Sequence, residues 1–299
     1  MNLASTNNPP APLRYLTSLA ERRMVTRYRD NQNLIRASTK PPFRLDYFHQ
    51  LDDPHSGLVV LALTRLQQMF PVDIHGHVVS SPDRMNAPEP SLLQAYALRD
   101  ARQIAPYYGL TLDTREASAA DIDRYEIELS STPQEQFLET AASFGTLVTT
   151  HETSAATRAT STAARKGNAM RQRLGHFSSA TVHFEGNWYW GVDRLYLLEK
   201  LLCDLCDRPD NNVLFPRPTE IGPTDASELT LEIFPSLRSP YTAIGFDRAI
   251  ALAKSTGAQL QVRPVLPMVM RGVPATMAKG RYIMTDTARE ADAYGIPFG

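Results

Sequence analysis

The chain has 299 residues, of which 42% are hydrophobic and 21% charged, so a wholly disordered chain is excluded and two domains can be accommodated. Its 31 basic and 32 acidic residues give a net charge of -1, which supplies no general field for gathering nucleic acid or anionic lipid. No apolar stretch approaches the ~18 to 20 residues of a membrane span, and prolines interrupt the place where a signal peptide has its apolar core. We therefore expect a soluble, cytoplasmic protein that binds neither nucleic acid nor membrane.

The N-terminal residues 1–43 predict a helical arm, with a Pro-rich tip, a basic helical run over 13–34 and a stop at Lys40-Pro41-Pro42. The next segment predicts strand, helix, strand and helix, over 43–48, 55–70, 72–79 and 91–108. Asp53-Pro54 is a helix start, because Asp accepts hydrogen bonds from unpaired amides and Pro lacks the amide that would stay unpaired. This order predicts a parallel strand pair with a right-handed crossover.

The same order returns near the C-terminus, with strands at 231–234 and 260–265, a helix from Ser239-Pro240 and a helix over 279–294. An offset of 186 residues relates the two segments without a gap, pairing Leu45 with Leu231, Pro54 with Pro240 and Gly109 with Gly295. One offset that persists through two strands and two helices predicts an internal duplication.

The material between the two copies has no counterpart in the second copy. It predicts helices over 117–142 and 152–174, a β-hairpin with strands at 181–184 and 187–190, a helix over 191–206 with leucines on one face, and a Pro-rich linker over 208–228. The second copy stops before any equivalent of these elements. We therefore expect residues 229–299 not to be a self-sufficient domain, since a two-stranded sheet buries too little apolar surface.

The element order and several motifs resemble the DsbA-like group of thioredoxin-fold proteins. Residues 175–182 and 190–195 resemble the hairpin and closing helix of that group. In the second copy, 237–241 (Leu-Arg-Ser-Pro-Tyr), 263–265 (Arg-Pro-Val) and 294–297 (Tyr-Gly-Ile-Pro) resemble 2-hydroxychromene-2-carboxylate isomerases and kappa-class glutathione transferases of the same group. The resemblance implies an α/β fold, thioredoxin-like with a helical insertion (DsbA-like), and duplicated.

The predicted organisation has four parts. These are an N-terminal helical arm (1–43), a DsbA-like thioredoxin-fold domain (44–207), a linker (208–228) and the N-terminal half of a second DsbA-like unit (229–299).

Redox members of the group carry a Cys-Pro-His-Cys type motif at the start of the first helix, where the helix dipole lowers the thiol pKa. Here the first copy has no sulfur in that segment, and neither has the second, so dithiol exchange at these positions is excluded. Ala180 stands where the group has a proline, normally cis, at the hairpin entry. The resemblance thus implies a degenerate first-unit site formed by Asp53, Pro54, His55, Ser56 and Ala180.

Ser239 is the candidate catalytic residue of the second unit. In glutathione-using relatives the matching serine hydroxyl and the free amides of the helix start would hydrogen-bond the thiolate of glutathione. The residues that would contact glutathione or a carboxylate substrate are Pro240, Tyr241, Arg263, Tyr282 and Asp286. Two simpler interpretations stay open: Ser239 only caps its helix, and Asp286 pairs with Arg289, three residues away on one helix.

Two further patterns could indicate a metal or redox site. Cys203 and Cys206 form a Cys-x-x-Cys, but they lie near the C-terminal end of a predicted helix, where the dipole disfavours a thiolate, so helix packing is favoured. His75 and His77 share one face of a strand, but no third ligand is evident, and we predict no metal site.

Two alternative functions are predicted from these residues and the resemblance. The resemblance implies a glutathione-dependent isomerase or transferase that acts on a small unsaturated carboxylic acid, with glutathione as the cofactor. The alternative is a non-catalytic thioredoxin-like binding or scaffold protein, favoured for the first unit by Asp53, Ser56 and Ala180. The expected partner is a small-molecule substrate, and a homo-oligomer is left open.

Overall fold

The computed structural model of the chain describes residues 11–149, 161–209, 214–217, 224–273 and 275–298. Across these residues the fold is a mixed α/β structure. The strands are β1 (Phe43–His49), β2 (Val72–Val78), β3 (Thr114–Ala117), β4 (Thr146–Thr149), β5 (Thr181–Phe184), β6 (Asn187–Trp190), β7 (Thr230–Ile233) and β8 (Gln259–Val262). The helices are α1 (Ala11–Ser38), α2 (Pro54–Met69), α3 (Pro90–Ile104), α4 (Ala119–Ser131), α5 (Phe137–Phe144), α6 (Thr162–Leu174), α7 (Leu195–Leu205), α8 (Pro240–Thr256) and α9 (Met277–Ala293).

The packing divides the chain into two compact units. The central unit comprises the described residues of Arg36–Glu220 and Val273–Lys279, and the terminal unit those of Met1–Ile35, Ile221–Gly272 and Gly280–Gly299. The predicted domain boundaries stay a prediction, because this division groups residues by packing alone.

The central unit is built on a four-stranded sheet with the order β2-β1-β5-β6. β1 and β2 are parallel, with Leu45 opposite Ile74, whereas β5 pairs antiparallel with β1 and with β6. The predicted parallel pair and the predicted hairpin are therefore both confirmed. Alternation along β1 buries Phe43, Leu45 and Tyr47.

Helices α2 and α7 contribute apolar side chains to the core of the central unit. Leu58, Leu63 and Leu66 of α2 are fully buried. The predicted apolar face of the helix after the hairpin is confirmed by α7, in which Leu195, Leu198, Leu201 and Leu202 are buried. In the chain, the first turn of α2 follows closely after the end of β1. The first candidate site was predicted at this helix start.

The segment between the two predicted copies differs from its prediction. The single helix expected over 117–142 is wrong: α4 ends at Ser131 before Pro133, and α5 begins at Phe137. Ser118 and Asp121 form a capping box that fixes the start of α4. The sequence also missed β3 and β4, which form a separate parallel two-stranded sheet. Of the helix predicted over 152–174, residues 152–160 lie outside the described residues, and α6 accounts for the rest.

The terminal unit contains β7 and β8, which form a parallel two-stranded sheet, together with α8 and α9. These are the four elements that the sequence predicted for the second copy, in the predicted order. The unit also includes α1, whose Arg29 forms an ion pair with Asp292 of α9 (Nη2 to Oδ1, 2.6 Å). Several large apolar side chains of this unit are exposed, among them Phe234 (59%), Leu237 (85%) and Met270 (62%).

Candidate functional site

A hydrogen-bonded network at the start of α2 is centred on Asp53. Its Oδ1 atom accepts a hydrogen bond from the amide of His55 (3.1 Å), which caps the helix, and Pro54 is the first helical residue. Its Oδ2 atom accepts from the hydroxyls of Ser56 (2.9 Å) and Ser179 (2.8 Å). The N-cap role predicted for Asp53 is confirmed.

The Ser56 hydroxyl has its hydrogen-bonding capacity met within the protein. It donates to Asp53 and accepts from the amides of Gln50 (3.2 Å) and Ala180 (3.1 Å), and the residue is fully buried. A hydroxyl has one proton and two lone pairs, so these three bonds fill it. Such a group provides neither a nucleophile nor a vacant donor for a ligand.

Ala180, at the hairpin entry, adopts a left-handed conformation with φ of 53°. Its peptide bond is trans, since Pro41-Pro42 is the one cis bond within the described residues. The left-handed region is unfavourable for a residue with a Cβ by roughly 1 to 2 kcal/mol. Hydrogen bonds on both sides hold it there, from its amide to Ser56 and from the Gly191 amide to its carbonyl (2.8 Å).

His55 lies beside this network and faces a carboxylate of α3. Its Nε2 atom is 3.4 Å from Oδ2 of Asp100, and both side chains are about one quarter to one third exposed. Tyr96, one turn earlier on α3, also donates to Asp100 (3.4 Å). The structure therefore brings together all five residues of the predicted first-unit site and adds Gln50, Ser179 and Asp100.

The start of α8 has the same backbone form as the start of α2 but a different side-chain arrangement. Ser239 occupies the N-cap position with φ of -87° and ψ of 125°, and Pro240 follows as the first helical residue. The Ser239 side chain makes no capping hydrogen bond, whereas its amide donates to the carbonyl of Ser236 (2.9 Å). Ser239 is therefore the N-cap residue of α8, as the simpler interpretation predicted, but the cap is formed by its backbone without a side-chain hydrogen bond.

Tyr241, in the first turn of α8, is tied to α9 by a buried carboxylate. Its hydroxyl donates to Oδ2 of Asp286 (2.7 Å), and Nη2 of Arg289 donates to Oδ1 of the same residue (2.8 Å). The side chains of Asp286 and Arg289 are 1% and 4% exposed. The predicted pairing of Asp286 with Arg289 is confirmed, and Tyr282 lies buried one turn earlier on α9.

Arg263 is separate from this cluster in its bonding. It follows β8 and forms an ion pair with Glu232 of β7 (2.7 Å), with both side chains near half exposure. The structure thus unites Tyr241 with Asp286 and leaves Arg263 on the surface of the small sheet.

The paired histidines of β2 each contact a carboxylate of their own. His75 lies 2.8 Å from Asp73, and His77 lies 2.8 Å from Asp46. Burial raises the pKa of Asp46, but hydrogen bonds from His77 and Arg44 outweigh it and lower that pKa to about 2. No group of three or more potential ligands that could hold a metal occurs among the described residues.

The two cysteines lie at the C-terminal end of α7. Cys203 is buried and Cys206 half-buried, and neither is in a disulfide. Burial raises the pKa of Cys206, a shift that Arg208 opposes and Asp207 reinforces. A raised thiol pKa disfavours the nucleophilic thiolate.

The sequence reasoning missed Gln50, Ser179 and Asp100 as members of the first site. Ser179 directly precedes Ala180, a predicted member of the site. Its place next to the hairpin entry could therefore have indicated that it belongs to the same site. Gln50 contributes its backbone amide, for which side-chain patterns give no signal.

Comparisons with known proteins give one structural similarity. No protein-family model matches the chain, and no curated protein sequence matches it significantly. A solved structure of 2-hydroxychromene-2-carboxylate isomerase, in its selenomethionine form, aligns with 55% of this chain and 96% of its own, with 16% identity and a TM-score of 0.39. The assignment to the α/β class comes from the strand order and directions given above. No helix in the described part of the chain is long and apolar enough to cross a membrane.

Proposed function

We propose that this chain is a DsbA-like thioredoxin-fold protein without dithiol chemistry, whose second copy acts as a glutathione-dependent isomerase or transferase on a small unsaturated carboxylic acid. One contrast supports the proposal. The N-cap carboxylate of α2 is bonded to Ser56 and Ser179, whereas the N-cap hydroxyl of α8, on Ser239, makes no capping bond.

The residues at the start of α8 fit a thiolate or carboxylate ligand. The first turn of this 17-residue helix has amides without a partner inside the helix and carries a partial positive charge. The Ser239 hydroxyl adds a donor, and a neutral N-cap does not repel an anion as Asp53 would. When bound, glutathione would supply a nucleophilic sulfur that adds reversibly to a conjugated double bond and so permits rotation about it. The protein's part is to hold the sulfur anionic by donating to it from Ser239 and the adjacent amides.

Glutathione titration of the full chain by calorimetry tests this proposal. We expect Ser239→Ala to weaken binding about tenfold or more, as expected for one hydrogen bond to a charged acceptor. Ser255→Ala is the matched control, because Ser255 is an exposed serine at the opposite end of the same helix, bonded to the carbonyl of Leu252. Equal affinity for the wild type and Ser239→Ala, or no glutathione binding at all, would contradict the proposal.

For the central unit we propose the second class of function, a non-catalytic binding or assembly role. The observation that favours it is that the Ser56 hydroxyl is already hydrogen-bonded to Asp53 and to the amide of Ala180. We expect Asp53→Asn to leave glutathione affinity within about twofold of the wild type, since the central unit would not hold the ligand. A loss as large as that of Ser239→Ala would place the ligand at α2 instead.

A further inference from the structure

The 186-residue offset pairs two interhelical contacts that lie at equivalent places in the two copies. It relates Tyr241 to His55 and Asp286 to Asp100. In the terminal unit the Tyr241 hydroxyl lies 2.7 Å from Asp286, and in the central unit the His55 imidazole lies 3.4 Å from Asp100. Each contact joins the first turn of the helix that carries the N-cap to the helix that follows the second strand.

Burial excludes Asp286 as a direct ligand contact. Its side chain is 1% exposed, so a bound molecule could reach it only by displacing the protein around it. A buried carboxylate without a partner would be strongly unfavourable, and the guanidinium of Arg289 provides that partner at 2.8 Å. The charge of Asp286 is thereby balanced inside the protein, and its other oxygen accepts from Tyr241.

We propose that Asp286, balanced by Arg289, is a positioning residue that fixes Tyr241 and with it the first turn of α8, on which Ser239 lies. This inference rests on the proposed function for the identity of the site, because it replaces ligand contact by Asp286 with positioning. Asp100 plays the corresponding part for His55 at the start of α2. In the terminal unit, the carboxylate fixes the start of α8, to which the ligand binds.

Hydrogen exchange of the full chain without glutathione tests the positioning directly. Tyr241→Phe removes only the hydroxyl and leaves the Asp286–Arg289 pair intact, so the variant retains its buried charge balance. We expect the amides of Ala243 and Ile244 to exchange about fivefold faster, as for the loss of one hydrogen bond, while the amide of Ala253 near the other end of α8 does not change. Unchanged exchange at Ala243 and Ile244, or equal acceleration along the whole of α8, would overturn the inference.

A double-mutant cycle with glutathione separates positioning from ligand contact. The paired change Asp286→Asn with Arg289→Gln removes both charges together, and Asp247→Asn on the exposed side of α8 is the control. We expect the paired change to weaken glutathione binding in the wild type but to have less than a twofold effect in a Tyr241→Phe background. Equal weakening in both backgrounds would show that Asp286 acts independently of Tyr241 and would refute its positioning role. If no variant binds glutathione, the proposed function fails, and the exchange experiment still decides the positioning role.

Discussion

At the scale of single residues, the hydrogen bonds of the Ser56 hydroxyl stabilise the start of α2. The resemblance to the DsbA-like group places Ser56 where redox members have their second cysteine. A hydroxyl at this buried position must have its proton and lone pairs satisfied, and Asp53, Gln50 and Ala180 satisfy them. The same bonds hold Ala180 in its left-handed conformation, so one side chain stabilises two segments that are distant in sequence.

We expect Ser56→Ala to lower the free energy of unfolding by about 2 kcal/mol. The substitution leaves the buried amides of Gln50 and Ala180 without acceptors, and an unsatisfied buried donor costs roughly 1 to 3 kcal/mol. Urea unfolding measures the change. Ser130→Ala is the control, since its exposed hydroxyl only bonds back to the carbonyl of Ile127, and it should change stability by less than about 0.5 kcal/mol. A loss for Ser56→Ala as small as that of the control would show that the network contributes little.

The pH dependence of stability should carry a contribution from His49. This residue is 4% exposed at the end of β1, bonded to the Tyr47 hydroxyl, and burial lowers its pKa to about 3. The folded state therefore holds His49 neutral, while the unfolded chain protonates it below its usual pKa of about 6.5. The unfolded state binds more protons in this window, so stability falls as the pH drops from about 6.5 towards 3, by up to about 1.4 kcal/mol per pH unit.

Unfolding measured across this pH range in His49→Gln checks the assignment. We expect the slope between about pH 6 and 4 to become shallower than in the wild type, whatever the absolute stability of the variant. An unaltered slope in His49→Gln would mean that His49 is not held neutral.

At the scale of elements, the close approach of α6 to β2 depends on a glycine. A Cβ atom added at Gly167 would collide with the backbone carbonyl oxygen of Val78, which belongs to the strand and cannot move without disturbing the sheet. By contrast, a Cβ atom added at Gly245, within α8, meets no atom within 4 Å. The contact of α6 with β2 therefore requires a glycine at position 167, whereas no contact of α8 requires one at position 245.

Alanine at these two positions should have opposite effects. We expect Gly167→Ala to destabilise the protein by about 1 to 3 kcal/mol through overpacking. Gly245→Ala should stabilise it by about 0.5 to 1 kcal/mol, because alanine restricts the unfolded chain and favours the helix. Thermal or urea unfolding of both variants gives the signs, and destabilisation by Gly245→Ala would contradict the open surroundings of that residue.

At the scale of the whole molecule, the terminal unit combines the N-terminal helix α1 with β7, β8, α8 and α9. Arg29 of α1 bonds Asp292 and the carbonyl of Phe298, and Val25 and Ile35 of α1 are buried. The ion pair is exposed, so it contributes less than about 1 kcal/mol, and apolar burial by α1 is the larger effect.

Removal of residues 1–35 should therefore loosen the terminal unit. We expect hydrogen exchange in α9 to accelerate at least tenfold in the shortened chain, while exchange in β1 and α2 of the central unit stays unchanged. Arg29→Ala separates the ion pair from apolar burial and should accelerate exchange by less than about fivefold. Unaltered exchange in α9 after the removal would show that α1 does not stabilise this unit.

The sequence by itself determined the local elements of this protein. Asp53-Pro54 and Ser239-Pro240 predicted two helix starts, and alternating or apolar runs predicted β1, β2, β7 and β8 close to their observed bounds. These features depend on capping and side-chain periodicity, which act within a few residues. The predicted site residues around α2 were likewise found together, because most of them are near neighbours in the chain.

Only the tertiary structure decided the contacts between distant segments. Ser179 bonds Asp53 across 126 positions and Arg29 bonds Asp292 across 263. The pairing of β3 with β4 and the occupied or vacant state of an N-cap side chain also depend on which surfaces pack together. The sequence pattern allows several partners for an Asp or Ser side chain, and burial selects among them because each buried polar group requires a hydrogen bond.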